Sequence, residues 1–224
     1  YEVTAISFAA YPELSDRYKL MPCGSSMGEK YGPMVVALDD MKLSDLKTRR
    51  IAIPGKQTSA YMALRLIEQN LDVVEYPFKE IIPAVKAGEV GAGLIIHEGQ
   101  LTYAQEGLKK IVDLGEWWDQ ETGLPLPLGG NAVRKDLGDD LIAKVTRMVH
   151  DSIVYALANR EAALEYALDY AGDLERAQAD KFVSMYVNKL SVDFGELGRT
   201  SLTKFFQRAF ECGVIDKAIV PEFS

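Results

Sequence analysis

Apolar and polar positions divide the chain into a stretch where strands alternate with helices and a stretch that is helical throughout. "RIAIPG" (50–55) is a short apolar run closed by Pro54-Gly55 and predicts a strand. "TSAYMALRLIEQN" (58–70) puts Ala60, Leu64 and Ile67 on one helical face, with Thr58 or Ser59 suited to cap it and Asn70 to stop it. "DVVEYP" (72–77) predicts the next strand. "EIIPAVKAG" (80–88) predicts a short helix with Pro83 in its first turn and Gly88 at its end, and "GAGLII" (91–96) a third strand. Such alternation implies a mainly parallel sheet.

On the N-terminal side, "VTAISFAAY" (3–11) suits either a strand end or a short helix. "MPCGSSMGEKYGP" (21–33) reads as loop, "GPMVVAL" (32–38) as a buried strand and 39–50 as a polar connection. On the C-terminal side, 112–138 is rich in Gly and Pro and too irregular for a helix, although "NAVRKDL" within it suits an extended crossing strand. After Gly138 the period becomes helical. Residues 139–158 carry Leu141, Val145, Met148, Ser152 and Ala156 at helical spacing. "NREAALEYALDYAG" (159–172) has an Asn to cap it and a Gly to stop it, and 173–190 follows. Residues 196–213 gather Leu202, Phe205, Phe206, Ala209 and Phe210 on a broad stripe closed by Gly213. The chain thus reads as an α/β protein: a partial α/β lobe, a complete one, then helices. The connections near 38–49 and 128–135 suggest that it leaves the first lobe and returns, assigning 1–38 and 132–224 to the first lobe and 39–131 to the second. Two lobes joined by two crossings make a cleft, a usual place for a ligand.

Composition narrows the function. The 224 residues are 48% hydrophobic and 26% charged, an ordinary globular balance. A net charge of −8 without a basic block argues against binding a nucleic-acid backbone. No apolar run approaches the ~20 residues that span a bilayer. Cys23 and Cys212 make neither a CxxC nor a zinc pattern, and such usage is typical of a reducing compartment. The sequence contains no GxGxxG or GxxxxGK[ST], and no metal-ligand cluster. A base that works without cofactor or metal, or a simple binder, remains.

His97 is the sharpest single signal. In an open parallel sheet ligands sit beyond the carboxyl ends of strands, and "AGLII" runs directly toward this residue. Neutral imidazole accepts a proton near neutral pH. The competing reading is a polar residue satisfied at a strand end. Thr58, Ser59 and Ala60 open a helix whose first N–H groups and dipole suit a carboxylate or phosphate, or simply a capped terminus. Lys56 either assists an anion or is a solvated loop charge. Trp117 and Trp118 either wall a pocket or close a core. Glu98 is a candidate to orient the His97 loop, and His150 reads as a surface or interhelix residue.

Several segments together carry a family resemblance. "GLIIHEGQLTY" (93–103), "DLGEWWDQETGLPLPLGGN" (113–131) and "PGKQTSAY" (54–61) resemble the 1,4-dihydroxy-6-naphthoate synthase family of the futalosine route of menaquinone biosynthesis. "GPMVVA" (32–37), "VKAGEVGAGL" (85–94) and "YVNKLSVDFGELG" (186–198) fit it too. The resemblance implies a two-lobed, type 2 periplasmic-binding-protein-like fold with a helical C-terminal region, used as a cytoplasmic carbon–carbon lyase. The substrate would be cyclic dehypoxanthine futalosine, a small anionic aromatic molecule, and the product 1,4-dihydroxy-6-naphthoate. No cofactor, metal, nucleic acid or membrane partner is implied, and a homodimer is among the assembly states left open. By motif, His97 falls on the family's proposed general base. Ser59 and Ala60, with Thr58, fall on a ligand-binding helix start, and Ala5, Ile6 and Ser7 on another binding stretch. Relatives can carry a lysine where this chain has Ala5, so no charged contact is expected there. Family members also begin with a strand and helix ahead of the segment that opens this chain, so the first lobe is expected to lack those elements. The alternative from another class is a solute-binding receptor of a transporter for a small carboxylate. A chorismate dehydratase on the same scaffold fits "IIHEGQLTY" less well.

Overall fold

The computed structural model describes residues 1–170 and 175–224. In chain order the strands are β1 Val3–Ser7, β2 Tyr18–Leu20, β3 Ser26–Gly28, β4 Met34–Ala37, β5 Arg50–Ile53, β6 Asp72–Glu75, β7 Ala92–Ile95, β8 Lys109–Asp113 and β9 Leu126–Arg134. The helices are α1 Tyr11–Leu14, α2 Ser59–Ile67, α3 Ile81–Lys86, α4 Gly99–Thr102, α5 Leu114–Thr122, α6 Asp139–Ala158, α7 Arg160–Leu168, α8 Arg176–Tyr186, α9 Lys189–Val192 and α10 Gly195–Glu211.

Two sheets result. In the first, β9 pairs antiparallel with β1 along one edge and with β2 and β3 along the other. The second has the order β6-β5-β7-β4-β8. Here β5 is parallel to β6 and β7, as alternation of strands and helices requires. Only β4 runs against the rest, antiparallel to β7 and β8, because it enters straight from the first sheet without a helical crossover. Pairing therefore draws the two crossings at 29–33 and 123–125, not at 38/39 and 131/132. An apolar run shows that a strand is buried but not which sheet it joins.

Other local expectations shift for identifiable reasons. The stretch 3–11 contains both a strand and helical turns, and the loop at 21–33 includes β3. The polar connection contains a 3-10 turn at Leu43–Thr48. The stretch 112–138 contains a helix after all. Asp113 caps α5 by accepting from the N–H groups of Gly115 (2.8 Å) and Glu116 (3.1 Å), and Gly123 ends it in the left-handed conformation, φ 69°. A glycine is needed at 115, because a Cβ there would meet Tyr31 O at 2.0 Å. In α6 the buried side is Ile142, backed by Val145, Val149 and Ile153, while Leu141 and Met148 face solvent. The helix has two apolar stripes, and docking on Met21, Cys23 and Val133 selects one. Asn159 donates back to Tyr155 O instead of capping α7. Gly172, expected to stop that helix, and Asp173, expected to start the next segment, lie outside the described residues.

The C-terminal helix α10 binds the halves together. Phe205 and Ala209 enter the core under α2 and α5, whereas Leu202 and Phe206 pack with Phe8, Tyr11 and Phe194 beside the first sheet. Phe210, at the edge of that stripe, is exposed. Trp118 is fully buried edge-on against Phe205, and its Nε1–H donates to Ser201 Oγ at 3.3 Å. The Trp-Trp segment thus closes a core rather than a pocket.

Candidate functional site

Three strand ends converge between the sheets. β5 and β7 are parallel neighbours, so the loop leading to α2 and the turn after Ile95 emerge at the same edge. β1 ends nearby at Ser7, registered against Gly129 of β9. The space they enclose has a volume of ≈ 410 Å³ and is lined by Ile6, Ser7, Thr58, Ser59, Ala60 and His97. Ser26, Pro33, Ile96, Gln100, Leu128, Gly129, Phe182 and Tyr186 complete the lining. Of the sequence-derived site residues only Ala5 is left out. It lies on exposed β1 backbone opposite Asn131, two positions short of the strand's cleft end. A larger depression of ≈ 690 Å³, around Phe78, Ile82 and Glu98, opens on the other side of the His97 turn. We take the smaller space as the site because, unlike the larger depression, it joins both sheets and the helix start.

The α2 terminus and Ser7 interlock. Thr58 Oγ1 accepts from Tyr61 N–H at 3.2 Å, a regular cap. Ser59 N–H donates to Ser7 Oγ at 2.7 Å, the two hydroxyls are 3.0 Å apart, and Ala9 N–H donates to Ser59 Oγ at 3.1 Å. The helix start therefore presents hydroxyls and a positive dipole end, and Ser7 Oγ accepts from its first N–H. Lys56 is not part of this arrangement. It lines an outer depression, and its main-chain N–H donates to Glu75 at 2.7 Å. Among the described residues, no Lys, Arg, Asp or Glu side chain lines the cleft. Such a wall suits a mostly apolar ring system whose few oxygens are met by hydroxyls.

His97 stands where β7 ends, with φ 55°, a left-handed conformation that costs a residue bearing a Cβ roughly 1–3 kcal/mol. Its ring lies between Phe78 (centroids 4.9 Å apart) and Phe182 (6.2 Å). The side chain keeps solvent contact, yet the atoms crowded around it partly strip its hydration. That desolvation pulls its pKa below the ordinary imidazole value of 6.5, and the Glu98 charge only partly opposes it. The shift favours the neutral imidazole, the state a base requires. His150 is on the surface beside Asp151, at 3.0 Å.

Sequence reasoning missed Gln100, Phe182 and Tyr186. Gln100 is buried and bonded to Tyr186 Oη at 2.7 Å. Burial raises the Tyr186 pKa well above the ordinary phenol, so the group stays protonated. A polar residue three positions after a strand-end histidine was a readable signal for Gln100. Nothing local pointed to the α8 aromatics. Among the described residues, no three His, Cys, Asp or Glu side chains are grouped to hold a metal, and no helix is long and apolar enough to cross a membrane.

The architecture is that of a two-lobed periplasmic-binding-protein-like fold. The alkanesulfonate-binding protein SsuA from Xanthomonas axonopodis pv. citri superposes with a TM-score of 0.69 at 11% identity, covering 98% of this chain and 78% of that one. This is a likeness of fold alone. The sequence goes further, since the menaquinone biosynthesis family VitK2_biosynth matches residues 1–211. A Thermus thermophilus protein named 1,4-dihydroxy-6-naphtoate synthase is 41% identical over 221 residues, 99% of this chain and 80% of that protein. The crystal structure of protein AF1704 from Archaeoglobus fulgidus shares 44% identity and a TM-score of 0.91, covering 96% of this chain and 80% of that one. The chain belongs to the 1,4-dihydroxy-6-naphthoate synthase family, within menaquinone biosynthesis.

Proposed function

We propose that this protein is a lyase that converts cyclic dehypoxanthine futalosine to 1,4-dihydroxy-6-naphthoate, with His97 as general base. The observation that carries the reading is an imidazole lining the same small cleft as the Ser7–Ser59 interlock. In this mechanism the substrate carboxylate takes the place of Ser7 Oγ and receives the Ser59 N–H and hydroxyl at the positive end of α2. The apolar walls, Ile6, Ile96, Leu128 and Phe182, enclose the ring system. His97 removes a proton from the substrate, starting the carbon–carbon cleavage that ends in the aromatic naphthoate. Water exclusion by closure of the two lobes protects the reacting centre.

The test is incubation with cyclic dehypoxanthine futalosine while the aromatic absorbance of the product is followed. His97→Asn is the informative variant, because asparagine tolerates the left-handed backbone and removes only the base. We expect it to fold and bind substrate while losing at least about a hundredfold in turnover, the usual scale of a general base. Near-normal turnover in that variant would take His97 out of the role.

A further inference from the structure

His97 holds a backbone conformation that few side-chain-bearing residues adopt, and Gln100 bonds to its main chain on both sides. Gln100 is only 6% exposed. With its amide oriented to satisfy all its neighbours, the oxygen accepts from His97 N–H at 3.2 Å. The nitrogen donates to Gly32 O at 2.9 Å and to Tyr186 Oη at 2.7 Å. Its main-chain N–H closes the same turn by donating to His97 O at 3.2 Å. One buried amide thus ties the His97 turn to the first crossing and to α8. The tie to α8 matters for the ring as well as for the backbone, because Phe182, one turn before Tyr186, flanks the imidazole.

We propose that Gln100 is a positioning residue for His97, holding its main chain left-handed and locking α8 against it, so that the imidazole faces the substrate from one direction. The proposal rests on the reading of His97 as general base. Gln100 touches no reacting atom in it. A purely space-filling glutamine would need neither the bond to the His97 N–H nor the bond to Tyr186.

The test compares wild type, Gln100→Met, Gln100→Glu and His97→Asn for kcat and KM on cyclic dehypoxanthine futalosine, with circular dichroism melting as the folding control. Methionine keeps the length and volume of the side chain but removes its hydrogen bonds. We expect kcat to fall about 10–100-fold with KM within about threefold, the pattern of a misplaced catalytic group in an intact binding site. Gln100→Glu still accepts from His97 N–H and should retain more turnover than Gln100→Met. Wild-type kcat in Gln100→Met overturns the proposal, as does a loss that appears only in KM. If Gln100→Met melts below the assay temperature, the assay is run below that variant's melting point, where the same split between kcat and KM decides. An inactive His97→Asn beside a fully active Gln100→Met removes this proposal alone, whereas an active His97→Asn removes the base reading and this proposal with it.

Discussion

Replacing Asp113 by asparagine removes a buried charge while keeping an oxygen to cap α5. The Asp113 side chain is almost completely enclosed, at 2% relative exposure. Burial pushes its pKa from the ordinary 3.8 up to about 6, against the pull of the Glu116 and Gly115 N–H groups and the Lys110 charge. A carboxyl raised on folding binds its proton more tightly in the native state. Its contribution to stability is therefore complete below the unfolded pKa of about 3.9 and is lost as pH rises toward and through 6. The gap corresponds to roughly 3 kcal/mol at neutral pH. Asparagine cannot ionise, so Asp113→Asn should match wild type near pH 4 and gain up to about 3 kcal/mol by pH 7–8. For a chain of this size that is about 6–12 °C in melting temperature. Urea unfolding of both proteins across pH 4–8 reads the difference directly. A stability difference that stays constant over that range would refute the reasoning, because only a titrating charge makes it grow. The cap connects to the cleft through one intermediate, since Gly115 of α5 packs on Tyr31 and Gly32, and Gly32 O is a partner of the cleft-lining Gln100.

Three further outcomes follow from the same geometry. The rate kcat/KM should fall as pH drops through a value below the ordinary histidine pKa of 6.5 and stay level through neutrality, since the depressed imidazole acts unprotonated; an acid limb centred above 6.5 contradicts this. Ser59→Ala removes the hydroxyl that meets Ser7 and Ala9 and should raise KM about tenfold with kcat largely kept, so an unchanged KM counts against the carboxylate seat. Gly115→Ala places a methyl 2.0 Å from Tyr31 O and should cost about 1–3 kcal/mol or more as the backbones part; thermal melting monitored by Trp118 fluorescence measures it, and a neutral result would show that α5 can retreat freely.

Much of the site was legible because it depends on where elements begin and end. Thr58 and Ser59 announced a helix start through their hydroxyls, and the apolar run 92–95 pointed at His97 through its length alone. The helix α5 was obscured by its glycines and by the Leu-Pro repeat beyond it, although Asp113 and Glu116 have the spacing of a capping box and Gly123 that of a stop. The choice of stripe on α6 was not legible. Leu141 and Met148 are as apolar as Ile142 and Val149, and periodicity alone cannot rank two adjacent stripes.

By itself the sequence determined the local grammar: the apolar periods, the caps, the strand that stops short of a histidine, and a family membership spread along the whole chain. These follow from interactions within a few residues, or from motifs that survive in linear order. Tertiary structure alone decided that β4 joins the second sheet and β9 the first, and that Ser7 meets Ser59 across 52 positions. It alone brought Phe182 and Tyr186 to the turn at 97–100. Contacts of that separation arise from the docking of whole elements, driven by burial that no short window of sequence contains.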